Sequence, residues 1–373
     1  MRYRIVADEN IEVTPELVSI SEHLLTLPGR TINSNHLKDA DVLLVRSVTP
    51  VTASLLAESP VAFVGTATAG VEHIDTEYLA RRGIKFAAAP GANANAVIEY
   101  VLSVLAARGR IVEILQGGTV GIVGYGHVGQ GLARIILAMG GNVTVWDPWQ
   151  TVPANIKSHS LEFVLKQPIV SLHAALHEQK PWPSRAMVDA PLPPNMPAGQ
   201  LFINASRGEL VTEAGLQALV MNGTDIVLDV WPNEPSVSAT QVAAVSLGTP
   251  HIAGYTRCAK IAATNMLVYA LAGLRSDDDP VPPLAIDMSS YQDMPVDAWL
   301  TRLLLSSYDP KVDSDQLAHS CGTAVAPNDF DALRRDYKLR RELRGRLIRM
   351  PPNFDENFER LVLALGAIPV WPE

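Results

Sequence analysis

The sequence has little of what marks secreted and membrane proteins. It contains two cysteines, Cys258 and Cys321, among 373 residues. Two cysteines do not make a disulfide framework, which favours a reducing compartment. The first residues lack the long apolar core of a signal peptide, and no apolar run reaches the roughly 18 residues needed to span a bilayer. These absences predict a cytoplasmic protein with no membrane partner.

Positive charge is also scarce. Lysine and arginine total 30 against 39 aspartate and glutamate residues, for a net charge of −9. A nucleic-acid-binding face needs an excess of basic residues to displace counterions, so we expect no nucleic-acid partner. Apolar residues make up 47% of the chain. The length exceeds the size at which one hydrophobic core stops growing, so we expect two or three domains.

Short apolar runs alternate with helical patterns, which predicts an α/β fold with parallel sheets built from βαβ units. The first predicted strands are Arg4–Ala7, Asp41–Arg46, Val61–Gly65 and Ile84–Ala88. A helix is predicted from Asn93 or Asn95 to about Arg108. A second series of strands is predicted at Val120–Val123, Asn142–Trp146, Ile169–Leu172, Leu201–Asn204 and Ile226–Asp229. The pattern then predicts a helix over Tyr255–Leu274 and a boundary at Ser276–Pro283.

A glycine-rich turn follows the first strand of the second series. Its residues are Gly124, Tyr125, Gly126, His127, Val128 and Gly129, and an apolar helix follows. In such a turn the first glycine permits the bend, the second admits a pyrophosphate, and the third lets helix and strand pack closely. The helix N-terminus then faces the anion. We therefore predict a dinucleotide site; the alternative is a tight turn in which an aspartate caps a helix.

Asp147 bears on the choice of dinucleotide. It ends the next predicted strand, about 20 residues on, where an acid binds the ribose hydroxyls of the adenosine. A carboxylate there also repels the 2′-phosphate of NADP. Pro148 and Trp149 follow, with no adjacent arginine to accept that phosphate. The sequence therefore predicts NAD as the cofactor.

Three polar residues follow predicted strands beyond the glycine turn: Arg207, Glu234 and His251. Ligands of open α/β sheets bind outside the carboxyl ends of the strands. His251 can act as a general base, Glu234 can hold its ring, and Arg207 can bind a carboxylate. Taken singly, each residue has another interpretation. His251 fits a loop histidine, Glu234 fits an acid at the start of a helix, and Arg207 fits a salt-bridge partner. Together, after a dinucleotide turn, they predict oxidation of a 2-hydroxy acid by hydride transfer to NAD.

This order of arginine, glutamate and histidine resembles the D-2-hydroxyacid dehydrogenase family over about Arg4 to Leu274. The resemblance implies a Rossmann-type NAD-binding domain (96–254) inserted in a flavodoxin-like substrate-binding domain (1–95 and 255–280). It also implies a small C-terminal α+β dimerisation domain (286–373). By resemblance, the residues that contact a small phosphorylated substrate are Ser47, Thr68 and Tyr255. Those that line the cofactor are Ala205, Ser206, Arg207, Asp229 and Gly254.

Some positions depart from the family pattern. Ala174 and Ala175 replace a threonine and a proline, which removes one expected cofactor contact. A Gly-Lys pair expected after Tyr255 and Thr256 is replaced by Arg257, Cys258, Ala259 and Lys260. His173 is predicted to be structural or to face the cofactor, with no catalytic role.

The C-terminal hundred residues have no catalytic role in this scheme, and they carry apolar runs at Leu300–Leu305, Leu361–Leu365 and Ala367–Trp371. Such runs predict a homodimer, with packing against the nucleotide domain as the competing interpretation. The basic stretch Arg334–Arg349 is predicted to be a solvated helix face or a phosphate-binding arm from a partner subunit. Two other functions stay open: another 2-hydroxyacid dehydrogenase, such as phosphoglycerate dehydrogenase, and a non-catalytic NADH-sensing protein.

Overall fold

The structure is a computed structural model that describes residues 2–274, 284–320, 324–325, 327–353 and 356–372. The predicted boundary Ser276–Pro283 and Cys321 lie outside these ranges. Within them, no helix is both long and apolar enough to cross a membrane.

The strands are β1 (Tyr3–Asp8), β2 (Ser21–Leu27), β3 (Val42–Val45), β4 (Phe63–Thr66), β5 (Lys85–Ala88), β6 (Thr119–Val123), β7 (Asn142–Trp146), β8 (Lys157–Ser158), β9 (Ile169–Leu172), β10 (Leu201–Asn204), β11 (Asp225–Leu228), β12 (Val237–Ser238), β13 (Leu247–Gly248), β14 (Ile286–Asp287), β15 (Ala324–Val325), β16 (Leu347–Arg349) and β17 (Ile368–Val370).

The α-helices are α1 (Pro15–Ile20), α2 (Ala53–Leu56), α3 (Thr76–Arg82), α4 (Ala94–Ala107), α5 (Ile111–Leu115), α6 (His127–Ala138), α7 (Leu161–Leu165), α8 (Glu213–Met221), α9 (Ala239–Ala243), α10 (Arg257–Ala272), α11 (Val296–Ser307), α12 (Pro310–His319), α13 (Pro327–Arg335) and α14 (Glu356–Ala364). Short 3-10 turns occur at Gly29–Thr31, Ser34–Leu37 and Gly208–Leu210.

The chain divides into two compact units, Met1–Asn93 with Tyr255–Pro282, and Ala94–Gly254 with Pro283–Glu373. The first unit contains a parallel sheet in the order β2-β1-β3-β4-β5. That order is the flavodoxin-like one, so the predicted class of this unit is confirmed. Successive side chains of a strand point to opposite faces, and Leu43 and Leu44 accordingly belong to different core clusters.

Helix α10 contributes Leu267 and Val268 to one of these clusters. It begins after Thr256, whose hydroxyl accepts a hydrogen bond from the Ala259 N–H at 3.0 Å. It ends at Gly273, whose φ of 71° is the left-handed conformation that glycine adopts without strain. The prediction of a helix at this place is confirmed, with two residues fewer at each end.

The second unit contains a parallel sheet in the order β8-β7-β6-β9-β10-β11-β13. Numbered along the chain from β6, this is the Rossmann order, in which the direction of winding reverses between β6 and β9. The predicted strands Asn142–Trp146, Ile169–Leu172 and Leu201–Asn204 match β7, β9 and β10. β9, β10 and the three central residues of β7 are buried, because helices cover both faces of a parallel sheet.

The C-terminal residues belong to the same compact unit as the Rossmann sheet. Leu317 and Phe330 are part of its hydrophobic core. Apolar side chains on or next to α11, α14, α4 and α6 pack together: Leu102, Ile135, Met139, Leu300, Leu304, Leu361 and Leu365. The first two predicted apolar runs are therefore largely covered within the chain, which is the competing interpretation given above. The three-domain organisation stays a prediction.

A small parallel sheet in the order β14-β16-β17 leaves β17 at an edge. The prediction of one helix face over Arg334–Arg349 is wrong, because α13 ends at Arg335 and β16 covers Leu347–Arg349. Within the same stretch Arg340 is turned inward, where its guanidinium hydrogen-bonds backbone carbonyls.

Candidate active site

The glycine turn between β6 and α6 has the geometry that a pyrophosphate requires. Gly124 has φ +95°, and a Cβ there would lie 2.5 Å from the Ala174 nitrogen. A Cβ on Gly129 would lie 2.1 Å from the Gly124 carbonyl oxygen, so helix and turn are in direct contact. Gly126, by contrast, has open space around it and precedes α6 with no side-chain cap. The first N–H groups of α6, including those of His127 and Val128, therefore suit an anion.

Asp147 lies immediately after β7 and is joined to the glycine turn. Its Oδ2 accepts a hydrogen bond from the Tyr125 N–H at 2.7 Å. Its Oδ1 accepts from the N–H groups of Trp149 and Gln150 at 2.8 and 3.1 Å. The carboxylate thus fixes the turn, and its remaining lone pairs leave room for ribose hydroxyls. These features together fit a dinucleotide.

Glu234 and His251 form a direct pair. Nδ1 of His251 and Oε2 of Glu234 are 2.6 Å apart, and both side chains are mostly buried. The other oxygen of Glu234 accepts the Trp231 N–H at 2.7 Å. Burial alone would raise the pKa of Glu234, but the charge and hydrogen bond of His251 and the Trp231 N–H outweigh it and lower the pKa. Glu234 is therefore held as a carboxylate, which keeps the proton of the imidazole on Nδ1.

The backbone of His251 is in the left-handed region, with φ 56°, a strained conformation for a residue with a Cβ. Its N–H donates to the Asp229 carbonyl at 2.7 Å. The Asp229 carboxylate accepts the N–H groups of Ile252 and Ala253 at 2.8 and 3.0 Å, and the Thr249 hydroxyl at 2.7 Å. Burial raises the pKa of Asp229, and these donors with the nearby His251 offset part of the effect.

Asp229 is therefore a buried anchor for the loop that carries His251. The sequence suggested a cofactor-lining residue; in the structure its carboxylate contacts the loop, and its role toward the cofactor stays a prediction. Tyr100 extends the same network, since its hydroxyl is 2.7 Å from Oγ1 of Thr249. Sequence reasoning did not find this link, because Tyr100 lies 149 positions before Thr249.

Arg207 follows β10 and is partly buried, with Nη1 donating to the Ser206 carbonyl at 2.8 Å. A Cβ on the next residue, Gly208, would lie 2.1 Å from the Trp231 carbonyl. Close packing of these two backbones brings the segment of Arg207 beside the segment that carries Glu234. Ser206 donates its hydroxyl to the Ala174 carbonyl at 2.7 Å. Ala205 is buried and Gly254 partly exposed.

His173 is not suited to proton transfer near neutral pH, because burial lowers its pKa to about 3. Its Nε2 is 2.9 Å from the Ser171 hydroxyl. Within the part of the chain that the structure describes, its Nδ1 has no hydrogen-bond partner. Its assignment as a structural or cofactor-facing residue stays a prediction.

The three predicted substrate residues belong to the first unit. Ser47 is exposed just after β3. Thr68 follows β4, and its hydroxyl donates to the Gly70 carbonyl at 2.7 Å, a local turn bond. Tyr255 precedes α10.

Two cations that sequence reasoning missed flank the Tyr255 ring. The Arg46 guanidinium carbon lies 4.8 Å from the ring centroid and the Lys260 Nζ lies 5.8 Å from it. Burial and then the charge of Arg46 lower the pKa of Lys260. Two cations held close together around a phenol form a site that attracts anions. The available signal was the position of Arg46, which ends a predicted strand next to Ser47.

Two family models match the chain. Residues 104–253 match the NAD-binding domain of the D-isomer specific 2-hydroxyacid dehydrogenases. Residues 281–366 match a domain of unknown function.

Curated relatives match over nearly the whole chain. Erythronate-4-phosphate dehydrogenase of Hahella chejuensis is 38% identical over 91% of this chain and 92% of its own length. The enzyme of the same name from Pseudomonas syringae pv. syringae is 37% identical over 98% of this chain and 99% of its own.

Solved structures share the fold. D-Lactate dehydrogenase of Aquifex aeolicus, complexed with NAD and lactic acid, matches 72% of this chain and 94% of its own at 20% identity and a TM-score of 0.59. NAD+-bound 3-phosphoglycerate dehydrogenase of Entamoeba histolytica matches 74% and 97% at 21% identity and a TM-score of 0.60.

Proposed function

The chain belongs to the erythronate-4-phosphate dehydrogenases of the D-isomer specific 2-hydroxyacid dehydrogenase family, and on that premise we propose that it oxidises 4-phospho-D-erythronate to (R)-3-hydroxy-2-oxo-4-phosphooxybutanoate. It is an NAD-dependent oxidoreductase. The proposed reaction is a step of pyridoxal 5′-phosphate biosynthesis.

The contact between Glu234 and His251 carries the proposal. Nδ1 of His251 faces the carboxylate at 2.6 Å, which leaves Nε2 to accept a proton. In the proposed reaction the C2 hydroxyl of the substrate gives its proton to this nitrogen, and Glu234 stabilises the imidazolium that forms. Bound NAD supplies the acceptor for the hydride that leaves C2. The glycine turn with its neighbours His127, Val128 and Asp147 is proposed to hold the cofactor.

Arg207 is proposed to bind the substrate carboxylate. Its guanidinium offers paired N–H groups that match a carboxylate, and it also stabilises charge on the developing carbonyl oxygen. The packing of Gly208 against Trp231 supports this role, because it fixes the arginine segment against the segment of Glu234.

The phosphate of the substrate is proposed to bind at Ser47, Thr68 and Tyr255, with Arg46 and Lys260 as counter-charges. The lowered pKa of Lys260, caused by burial and by the charge of Arg46, supports this assignment. A dianion between the two cations would relieve their repulsion and form charge-assisted hydrogen bonds.

A substrate panel tests the reaction. NADH formation should be followed with 4-phospho-D-erythronate, erythronate, 3-phosphoglycerate and D-lactate. We expect the first to have the highest kcat/KM, because erythronate and D-lactate lack the phosphate and 3-phosphoglycerate is one carbon shorter than the proposed substrate. Preference for 3-phosphoglycerate would assign another dehydrogenase activity. NADH binding without turnover of any acid would favour a sensor.

Arg46→Met tests the phosphate site. We expect KM for the phosphorylated acid to rise about 10-fold or more, the value of one charge-assisted hydrogen bond, with little change for erythronate. Arg81→Met on α3 is the matched control, since its side chain is 65% exposed. Equal effects of Arg46→Met on both acids would refute the phosphate assignment.

A homodimer through the C-terminal residues is a further part of the proposal. Exposed apolar side chains near the end of the chain include Leu363, Ile368, Val370 and Trp371, and β17 lies at the edge of its three-stranded sheet. Because Leu317 and Phe330 lie in the core, truncation would damage the fold. Light scattering on Ile368→Asp is the cleaner test, and a native monomer would exclude the dimer. Cytoplasmic localisation, proposed from the scarcity of cysteine, is checked by cell fractionation.

A further inference from the structure

Residues 281–366, the part matched by a domain of unknown function, send one arginine to the loop that carries His251. Nη1 of Arg340 donates to the Ile252 carbonyl at 3.0 Å, and Nη2 donates to the Ala253 carbonyl at 2.5 Å. Nη2 also approaches the Ala96 carbonyl, in the first turn of α4, at 3.3 Å. One guanidinium therefore ties two successive carbonyls of the loop to a buried helix.

Arg340 is itself held in place. Its guanidinium carbon lies 4.3 Å from the centroid of the Tyr308 ring, and Nη1 is 3.1 Å from the Tyr337 hydroxyl. Next to it, the side-chain carboxyl group of Glu99 on α4 accepts the Leu343 N–H at 2.7 Å. Contacts within the C-terminal segment therefore fix the position of the Arg340 side chain.

Charged side chains hydrogen-bond both the N–H groups and the carbonyl groups of this loop. Asp229 accepts the N–H groups of Ile252 and Ala253, while Arg340 binds the carbonyls of the same two residues. His251 immediately precedes them, in a left-handed conformation. A strained backbone conformation persists only where the surrounding contacts hold it in place. The hydrogen bonds of Asp229 and Arg340 hold the backbone next to His251.

We propose that Arg340 is a positioning residue for the reaction: it holds the 251–253 loop so that the His251 imidazole meets Glu234. It touches neither substrate nor cofactor in this role. This assigns to the C-terminal segment a contribution to catalysis within its own chain, separate from any dimer contact, and it rests on the proposed role of His251 as the base.

The main test is Arg340→Ala with Lys338→Ala as the matched control. Lys338 is exposed, lies two residues away, and lines the same cavity of about 780 Å³ that Tyr308, Tyr337 and Arg340 border. In Arg340→Ala we expect kcat to fall about 10- to 100-fold, because a misplacement of the order of 1 Å carries such a loss. NADH affinity should fall by less than kcat does, since Arg340 hydrogen-bonds the loop of His251 and the glycine turn lies elsewhere in the chain.

Two readouts separate positioning from a general structural effect. Methylguanidinium, which the cavity can admit, should restore part of the lost kcat in Arg340→Ala and have no effect on Lys338→Ala. Proton NMR of the histidine side chains should show the strongly hydrogen-bonded Nδ1 proton of His251 in the native enzyme and its loss in Arg340→Ala. The NMR readout needs no substrate, so it tests the inference even if the proposed substrate is wrong.

Arg340→Lys covers the case in which the alanine variant does not fold. An ammonium keeps the charge but lacks the planar fork that spans two carbonyls. We expect an intermediate kcat and a weakened Nδ1 resonance. Native kcat together with a native Nδ1 resonance in either folded variant would overturn the proposal.

Discussion

Replacing Glu234 by glutamine tests the pairing on which the proposed reaction depends. Glutamine keeps the shape of the side chain and one acceptor, which can still receive the Trp231 N–H now bonded at 2.7 Å. Its amide then faces Nδ1 of His251, where a carboxylate stood at 2.6 Å. The amide donates to Nδ1, so the ring proton moves to Nε2 and the nitrogen that should accept the substrate proton is blocked.

The expected fall in kcat has two sources, the lost hydrogen bond to a charged group and the changed tautomer of the His251 ring. A hydrogen bond to a charged group contributes about 1.5–3 kcal/mol. Removing it from the imidazolium of the transition state should lower kcat about 10- to 150-fold. The wrong ring tautomer adds to this loss, and a total near 10⁴-fold is the upper bound set by the equivalent carboxylate-to-amide change in serine proteases.

The pH dependence has a definite sign. The charge and hydrogen bond of His251 help to lower the pKa of Glu234 against its burial, so the carboxylate persists below its usual titration range. Glutamine does not titrate, so the part of the acid limb of the pH–rate profile that reports protonation of Glu234 should be absent in Glu234→Gln.

The assay is NADH formation over a pH series, with Glu213→Gln on an exposed first turn of α8 as the control. NADH binding should be unchanged in both variants. A Glu234→Gln enzyme with native kcat and a native pH profile would show that the contact has no part in the chemistry.

Two further predictions follow from single contacts. Burial and the nearby Glu342 raise the pKa of Glu99 to about 8. Between about pH 4.5 and pH 8 the folded state therefore keeps a proton that the unfolded state loses. The free energy of unfolding falls as the pH rises through this range, by about 1.4 kcal/mol per pH unit at most. Glu99→Gln keeps an acceptor for Leu343 and should have a Tm that increasingly exceeds the native one from pH 5 to 8; a constant difference would contradict this. Asp147→Ser should weaken NAD binding without creating strong NADP binding, because the carboxylate also bonds the Tyr125 N–H; fluorescence titration decides, and equal native affinities for NAD and NADP would show the assignment to be wrong.

The sequence determined the α/β class and most strands of the two large parallel sheets. Strands of parallel sheets are buried on both faces, so they appear as short apolar runs, and β7, β9 and β10 were predicted to the residue. The glycine turn was also predictable from the sequence, because its conformation and its close contacts leave no space for a side chain at Gly124 or Gly129. By contrast, β2 was missed, because most of its side chains are at least partly exposed and its apolar pattern is weak.

The chemistry-bearing residues were identifiable by type and order, but not by contact. Glu234 and His251 are 17 positions apart, and only the packing of two loops brings Nδ1 to the carboxylate. The anion-attracting pair of Arg46 and Lys260 depends on α10 returning to the first unit.

The C-terminal segment shows most clearly what the tertiary structure decided. Its basic stretch has a composition typical of a solvated helix, yet Arg340 reaches the carbonyl of Ile252, 88 positions earlier. No local pattern encodes that contact, because a guanidinium is attracted equally by solvent, carboxylates and carbonyls, and its burial is settled by the surrounding fold. The sequence determined which chemical groups the protein has and the strands that carry most of them; the packing of distant segments decided which of those groups act together.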